Sequence, residues 1–285
     1  MKRYMLSSFA FDSRSMTFET PKSGWDEQVL KLHHQNAQKG AVELSIEYGV
    51  LNFERKRDDL VEFGRRPFCM IGPYTSIMHQ MHQTFVFGSY YSAMASACTL
   101  GELVYKDLLR KLAPYHGEDP VRLSTTQNWE RASEKLVGWG IFNQELSQKL
   151  SSLKTLRNYA VHFVDFDESE LRPKSLQACR LAVDITSTLF GIDGGRPWML
   201  KGTKGAFFVA KEAETQPFVA EFVVPNCQLV GPWHRHIHNG AGGFSILDRS
   251  DYPDGEVTDE DFAKAYEARS DENMPPDPTL KPKPQ

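Results

Sequence analysis

The chain is poor in residues that would staple or ligate it: only four cysteines, Cys69, Cys98, Cys179 and Cys227, stand among its 285 residues. No two share a CxxC spacing, which speaks against a zinc ribbon or a disulfide framework, and three lie among apolar or small neighbours, as buried thiols of a reducing compartment do. No apolar run approaches the ~18 residues of a membrane span. The stretch "MKRYMLSSFAFDSRS" reaches Asp12 and Arg14 before it accumulates the apolar core of a secretory leader. A cytoplasmic location without membrane contact is the expectation. Also missing are the GxxxxGK[ST] and GxGxxG frames, so "GIDGG" and "GTKG" are not phosphate cradles, and no GxSxG elbow offers a serine nucleophile.

Charge is short on the positive side, with 37 acidic against 33 basic residues and a formal net charge of -4. The deficit is local. Asp248 to Glu272 holds ten acidic and three basic residues, which leaves the remainder at +3. Within that remainder, "ERKRDD" and "GRRP" bring together Arg55, Lys56, Arg57, Arg65 and Arg66, a candidate RNA-phosphate patch whose ordinary alternative is a solvated face.

What is present is mainly helical pattern. Residues 1–72 form an N-terminal region in which "WDEQVLKLHHQNAQ" reads as helix, while Val42, Leu44, Ile46, Tyr48 and Val50 alternate as in a half-buried strand, although the same residues can also continue the helix. Residues 73–195 form a helical domain. It opens with one long helical run from Pro73 to Pro114, continues with helices near 128–139 and 145–164, and restarts at Pro173 into a last helix that stops at "GIDGG". In residues 196–250 the segments "AFFVAK", "PFVAEFVV", "WHRHIH" and "FSILD", divided by Gly, Pro and Asn, predict a small β-rich region. Residues 251–285, acidic and then Pro-rich, read as a disordered tail that accompanies or masks the fold without joining it.

The chemistry concentrates in "TLRNYAVHF", Thr155 to Phe163. Leu146, Leu150, Leu153, Leu156, Ala160 and Phe163 or Val164 supply an apolar stripe for a helix, on which Asn158 and His162 share a face and Arg157 lies about 100° from Asn158. Arginine offers a permanently charged fork for phosphate, and histidine accepts and donates protons near neutrality. Those are the tools for cutting RNA without a metal. With 16 arginines and nine histidines, an Arg followed five places later by His is expected roughly half a time by chance, and Arg110 with His116, split by Pro114, shows how such pairs arise. Asn directly after the Arg lowers the expectation to about 0.02. The ordinary alternative is that Arg157 and Asn158 cap or pair at a bundle surface and His162 is a hydrogen-bonded, partly buried residue.

The motif "LKTLRNYAVHF", with the all-α run from about 74 to 192, resembles the HEPN superfamily. The resemblance implies a HEPN-like helical bundle and a metal-independent endoribonuclease, with no cofactor, often a toxin or anti-phage defence effector. It implies a homodimer in which two motif helices face each other, and catalytic roles for Arg157, Asn158 and His162. Glu102, in "GELVY", is the candidate for the supporting polar residue that many members carry on an earlier helix; a solvated helix surface explains it equally well. RNA is the expected partner, together with an inhibitory or sensor protein. The superfamily also includes inactive binding modules, so a non-catalytic module recognising RNA or a protein is the alternative.

"WHRHIH" sets His234, His236 and His238 on one face of an expected strand. Zinc, contact with RNA or a partner, and a plain polar strand face are the readings open to it. Neighbours on one face of a strand stand about 6.6 to 7 Å apart and rarely converge on one metal without help from another segment.

Overall fold

A computed structural model describes residues 1–7, 10–126, 128–162, 167–238, 244–253 and 255–276. The elements run β1 (Arg3–Leu6), β2 (Ala10–Asp12), α1 (Glu27–Tyr48), α2 (Phe53–Phe63), β3 (Arg66–Cys69), α3 (Gly72–Phe87), α4 (Tyr90–Leu112), α5 (Pro120–Thr126), α6 (Trp129–Gly138), α7 (Gln144–His162), α8 (Glu168–Phe190), β4 (Cys227–Val230), β5 (Arg235–His238), β6 (Phe244–Leu247) and α9 (Asp259–Glu267). The fold is mainly α, and the chain divides into two units. No helix among the described residues is long and apolar enough to cross a membrane.

The helical unit spans Phe9–Asp193 and takes in most of the expected N-terminal region. Its centre is α4, against which α3, α5, α6, α7 and α8 pack. Ala93, Met94, Ala97, Cys98, Val104, Leu108 and Leu112 of α4 are buried at helical spacing. Gly101 marks the crossing with α7: a Cβ there would lie 2.4 Å from Leu153 Cδ2, so any larger residue displaces the leucine. The long helix expected after Pro73 is two helices. Gly88, at φ 90°, terminates α3 in a left-handed turn, with its N–H bonded to Phe85 O at 2.9 Å and Ser89 N–H to Thr84 O at 2.9 Å.

The strand expected around Val42–Val50 is the end of α1, capped at its start by the Asp26 carboxylate, which accepts from Val29 N–H at 2.8 Å. The apparent alternation comes from two interleaved four-residue ladders. Leu44 and Tyr48 are buried, while Val42 and Ile46 are exposed at 59% and 78%. Likewise α8 begins at Glu168, on an Asp167 cap, and carries Pro173 inside it, five residues before the expected restart. β2 and β3 pair antiparallel through Ala10 with Cys69 and Asp12 with Arg66.

The second unit comprises Met1–Ser8 and Gly194–Gln285. β1 pairs antiparallel with β4, Arg3 opposite Val230, and β5 with β6, Arg235 opposite Leu247. "AFFVAK" contributes single bridges, Phe208 to Met5 and Val209 to Met199, whereas "PFVAEFVV" is helical in structure: Val219–Val223 form a π-turn followed by a 3₁₀ turn. Val219, Phe222 and Val223 are buried at three- and four-residue spacing, which only a helical segment points one way. The acidic stretch is part of the fold, contrary to expectation. Thr258 caps α9, and Phe262 and Tyr266 join Met5, Phe208 and Val230 in the core. The buried guanidinium of Arg3 holds Asp259 at 2.7 Å and reaches Val257 O. The tail expected from 251 is therefore folded to at least Pro276, and 277–285 lie outside the described residues. All four cysteines are free; Cys69, Cys98 and Cys179 are buried and Cys227 is partly so.

Candidate functional site

Asn143 starts the motif helix, its side-chain oxygen accepting from Leu146 N–H at 2.8 Å, and Glu145 sits in the first turn. Leu146, Leu150, Leu153, Leu156 and Ala160 are buried against the bundle, so rotation of α7 is fixed. Phe163 and Val164, the last members of the expected stripe, lie outside the described residues.

With the stripe buried, Arg157 emerges half-buried at its edge, and Asn158 and His162, one turn apart, are exposed. The charge of Arg157 acts on two groups of α4. Burial pushes the Cys98 thiol up to about 12, and burial together with Glu102 pushes the Tyr105 phenol up to about 12; Arg157 opposes both shifts. Arg157, Tyr105 and Glu102 thus share one electrostatic neighbourhood. Glu102 itself is half-buried and paired with Lys106 at 2.6 Å. The side chains of Arg157, Asn158 and His162 have no hydrogen-bond or ion-pair partner among the described residues. Capping or pairing with a described residue therefore does not account for them.

Two tyrosines that the sequence reading gave no functional part tie down the end of the motif helix. The Tyr91 hydroxyl, on α4, donates to Ala160 O at 3.3 Å. The Tyr159 hydroxyl donates to Asp167 O at 3.0 Å and accepts from Asp167 N–H at 3.1 Å, with the Lys174 ammonium 4.7 Å from its ring. Tyr159 lies inside the motif, between Asn158 and His162, but its role needs the start of α8 and is invisible in the motif alone. The last turn of α7, which carries His162, is held from two sides.

The expected basic patch does not assemble as an open surface. Arg55 pairs with the buried Asp59 and bonds Phe87 O at 3.1 Å and Tyr90 Oη at 3.2 Å. Lys56 is buried, with its ammonium on Tyr48 O, and Arg57 pairs with Glu54 and Asp58. Arg66 is buried, 3.3 Å from Asp12; Arg65 alone of this set is both exposed and without a partner among the described residues.

Of the histidine row, the fold keeps His234 and His236 together, their rings 5.1 Å apart and edge to face, but buries the first. His234 precedes β5, is fully buried and bonds Gly231 O through Nδ1 at 2.9 Å, beside Phe208 and Tyr266; burial pushes its pKa down. His236 is exposed on β5 opposite Ile246, and His238 occupies the register position opposite Phe244. No three His, Cys, Asp or Glu among the described residues come together in a metal-holding arrangement. No family model, no curated protein and no solved structure matches the chain, so the functional reading rests on the motif and its geometry.

Proposed function

We propose that the chain is an endoribonuclease of HEPN type that needs no metal. The observation that carries this reading is that Arg157, Asn158 and His162 stand together at the end of a helix anchored on its other face, with none of their side-chain polar groups engaged by a described residue. Arg157 clamps the phosphate and His162 moves the protons, taking one from the 2'-hydroxyl and returning one to the 5'-oxygen. The 2'-oxygen–phosphorus bond forms as the phosphorus–5'-oxygen bond breaks, leaving a 2',3'-cyclic phosphate and a 5'-hydroxyl. Asn158 orients the phosphate or the imidazole, and Glu102 acts through Arg157 from α4.

A single histidine per chain serves acid and base most simply when two motif helices face each other in a homodimer. Such an enzyme suits a toxin or anti-phage effector restrained by an inhibitory or sensor protein. Incubation of the full chain with labelled RNA in EDTA tests the reading: cleavage with cyclic phosphate ends is expected. Activity that vanishes with chelator and returns with magnesium contradicts it, and RNA binding without cleavage favours a non-catalytic module.

A further inference from the structure

The helix before α7 carries a second set of polar and aromatic groups, of which Arg131 is exposed and Lys135 and Trp139 are half-buried. Arg131, Lys135 and Trp139 follow at four-residue spacing along α6 and its C-terminal cap. One face of the Trp139 indole is taken by the His116 imidazole, stacked 4.3 Å away with the planes 2° apart. The Lys135 ammonium, paired with Glu118, sits 5.8 Å from the ring centroid. Arg131, Glu134, Lys135, Gly138 and Trp139 line an open groove of about 600 Å³, and a Cβ on Gly138 would meet nothing within 4 Å. The Arg131 guanidinium is exposed and has no partner among the described residues.

We propose that this groove binds one nucleotide of a single-stranded RNA, with the base stacked at the Trp139 ring and the adjoining phosphate on Arg131. A ring held in a parallel stack on one side cannot rotate away, so it offers a rigid platform at little entropic cost, and a cation within reach of a flat aromatic matches the alternation of base and phosphate. Glu134, the carboxylate on the rim, repels phosphate and accepts from an exocyclic amine, which orients the base toward it and the phosphate toward Arg131. The inference rests on the ribonuclease reading and extends it to a second contact. Glu130 of α6 pairs with Lys154 of α7 and Ser133 bonds Ser147, so α6 runs back along the motif helix and brings its Arg131 end toward Arg157, which lets one RNA strand touch groove and motif together.

The test uses the full chain carrying His162→Ala, to prevent cutting, and fluorescein-labelled twelve-nucleotide RNA followed by anisotropy. Trp139→Leu is expected to raise Kd about tenfold, Trp139→Phe to restore most of the affinity, and Arg131→Glu, an exposed change that leaves melting alone, to weaken binding comparably. In the protein with His162 intact, Trp139→Leu should raise KM for the long RNA and leave cleavage of a dinucleotide unchanged. Equal affinity for the RNA with and without Trp139→Leu and Arg131→Glu overturns the groove while leaving the ribonuclease reading in place. A chain that neither binds nor cuts RNA overturns both. Equal losses on the dinucleotide and the long RNA also overturn the groove, because they mean that Trp139 acts through the motif.

Discussion

Around α2, the guanidiniums of Arg55 and Arg172 close on one buried carboxylate, Asp59, which also accepts from the Tyr90 hydroxyl at 2.9 Å. At the end of α7, Arg157, Asn158 and His162 close on no polar partner among the described residues. Both places are rich in the residues that meet phosphate, and composition does not separate them. The partner does. Where a charge is matched by an opposite one inside the fold, it stabilises the bundle; where the fold anchors one face of a helix and leaves the polar edge unmatched, that edge is available to a ligand.

The largest effects expected from breaking this comparison are catalytic. A mixed dimer, made by co-expressing the wild type with a differently tagged chain carrying Arg157→Ala and His162→Ala, should retain far less than half the wild-type activity if each active centre draws on both motifs. A half-active mixed dimer removes the shared centre and leaves the motif standing. On the α2 side, Asp59→Ala should cost the helical unit about 3 kcal/mol, because it strands Arg55 and the Tyr90 hydroxyl and leaves Arg172 with Glu62 alone, and a urea melt reads the loss. In the other unit, Phe262→Ala should cost about 3 kcal/mol, by emptying a fully buried site in the core it shares with Phe208 and Tyr266. Unchanged stability there would return the acidic stretch to the status of a tail.

A smaller effect concerns pH. His82 is buried against Phe63, and burial, reinforced by Arg66, pushes its pKa down to about 3. In the unfolded chain it titrates near pH 6.5 (about the model-peptide value), so acidification below that adds a proton to the unfolded state first, and stability falls from pH 6.5 toward 3. His79 is pushed down as well, mainly by burial, and adds in the same direction. Asp12 enters only below about pH 4: burial raises it, but its bonds to Arg14 dominate and hold it well below the usual carboxylate range. Thermal melts between pH 6.5 and 4.5 should therefore slope downward on acidification, and His82→Leu should flatten that slope.

The motif helix was legible because its signals are local: Asn143 caps it, leucines mark its buried face, and Arg157, Asn158 and His162 fall within six residues. The pairing that engages the other arginines was not. Arg172 meets Asp59 across 113 positions and Arg66 meets Asp12 across 54, distances that only the folded bundle closes. Near α1 the residues misled by coincidence, since Val42 and Ile46 on one face interleave with Leu44 and Tyr48 on the other and mimic a strand. In the acidic stretch a signal was present and outweighed by charge: Thr258 bonds the N–H of Asp261, a helix start, and Phe262 with Tyr266 is a four-residue apolar pair. The β-branched richness of "PFVAEFVV" suggested a strand where packing of Val219, Phe222 and Val223 imposes a helical turn.

The most direct test measures melting and RNA cleavage side by side for three single variants, Arg157→Ala, His162→Ala and Asp59→Ala. The first two are expected to melt with the wild type and lose cleavage by at least about a hundredfold, the range of a lost proton-transfer group or charge stabiliser, whereas Asp59→Ala melts markedly lower. Full cleavage by His162→Ala, or a lowered melt in Arg157→Ala, would contradict the claim that these side chains are left free by the fold for work on RNA.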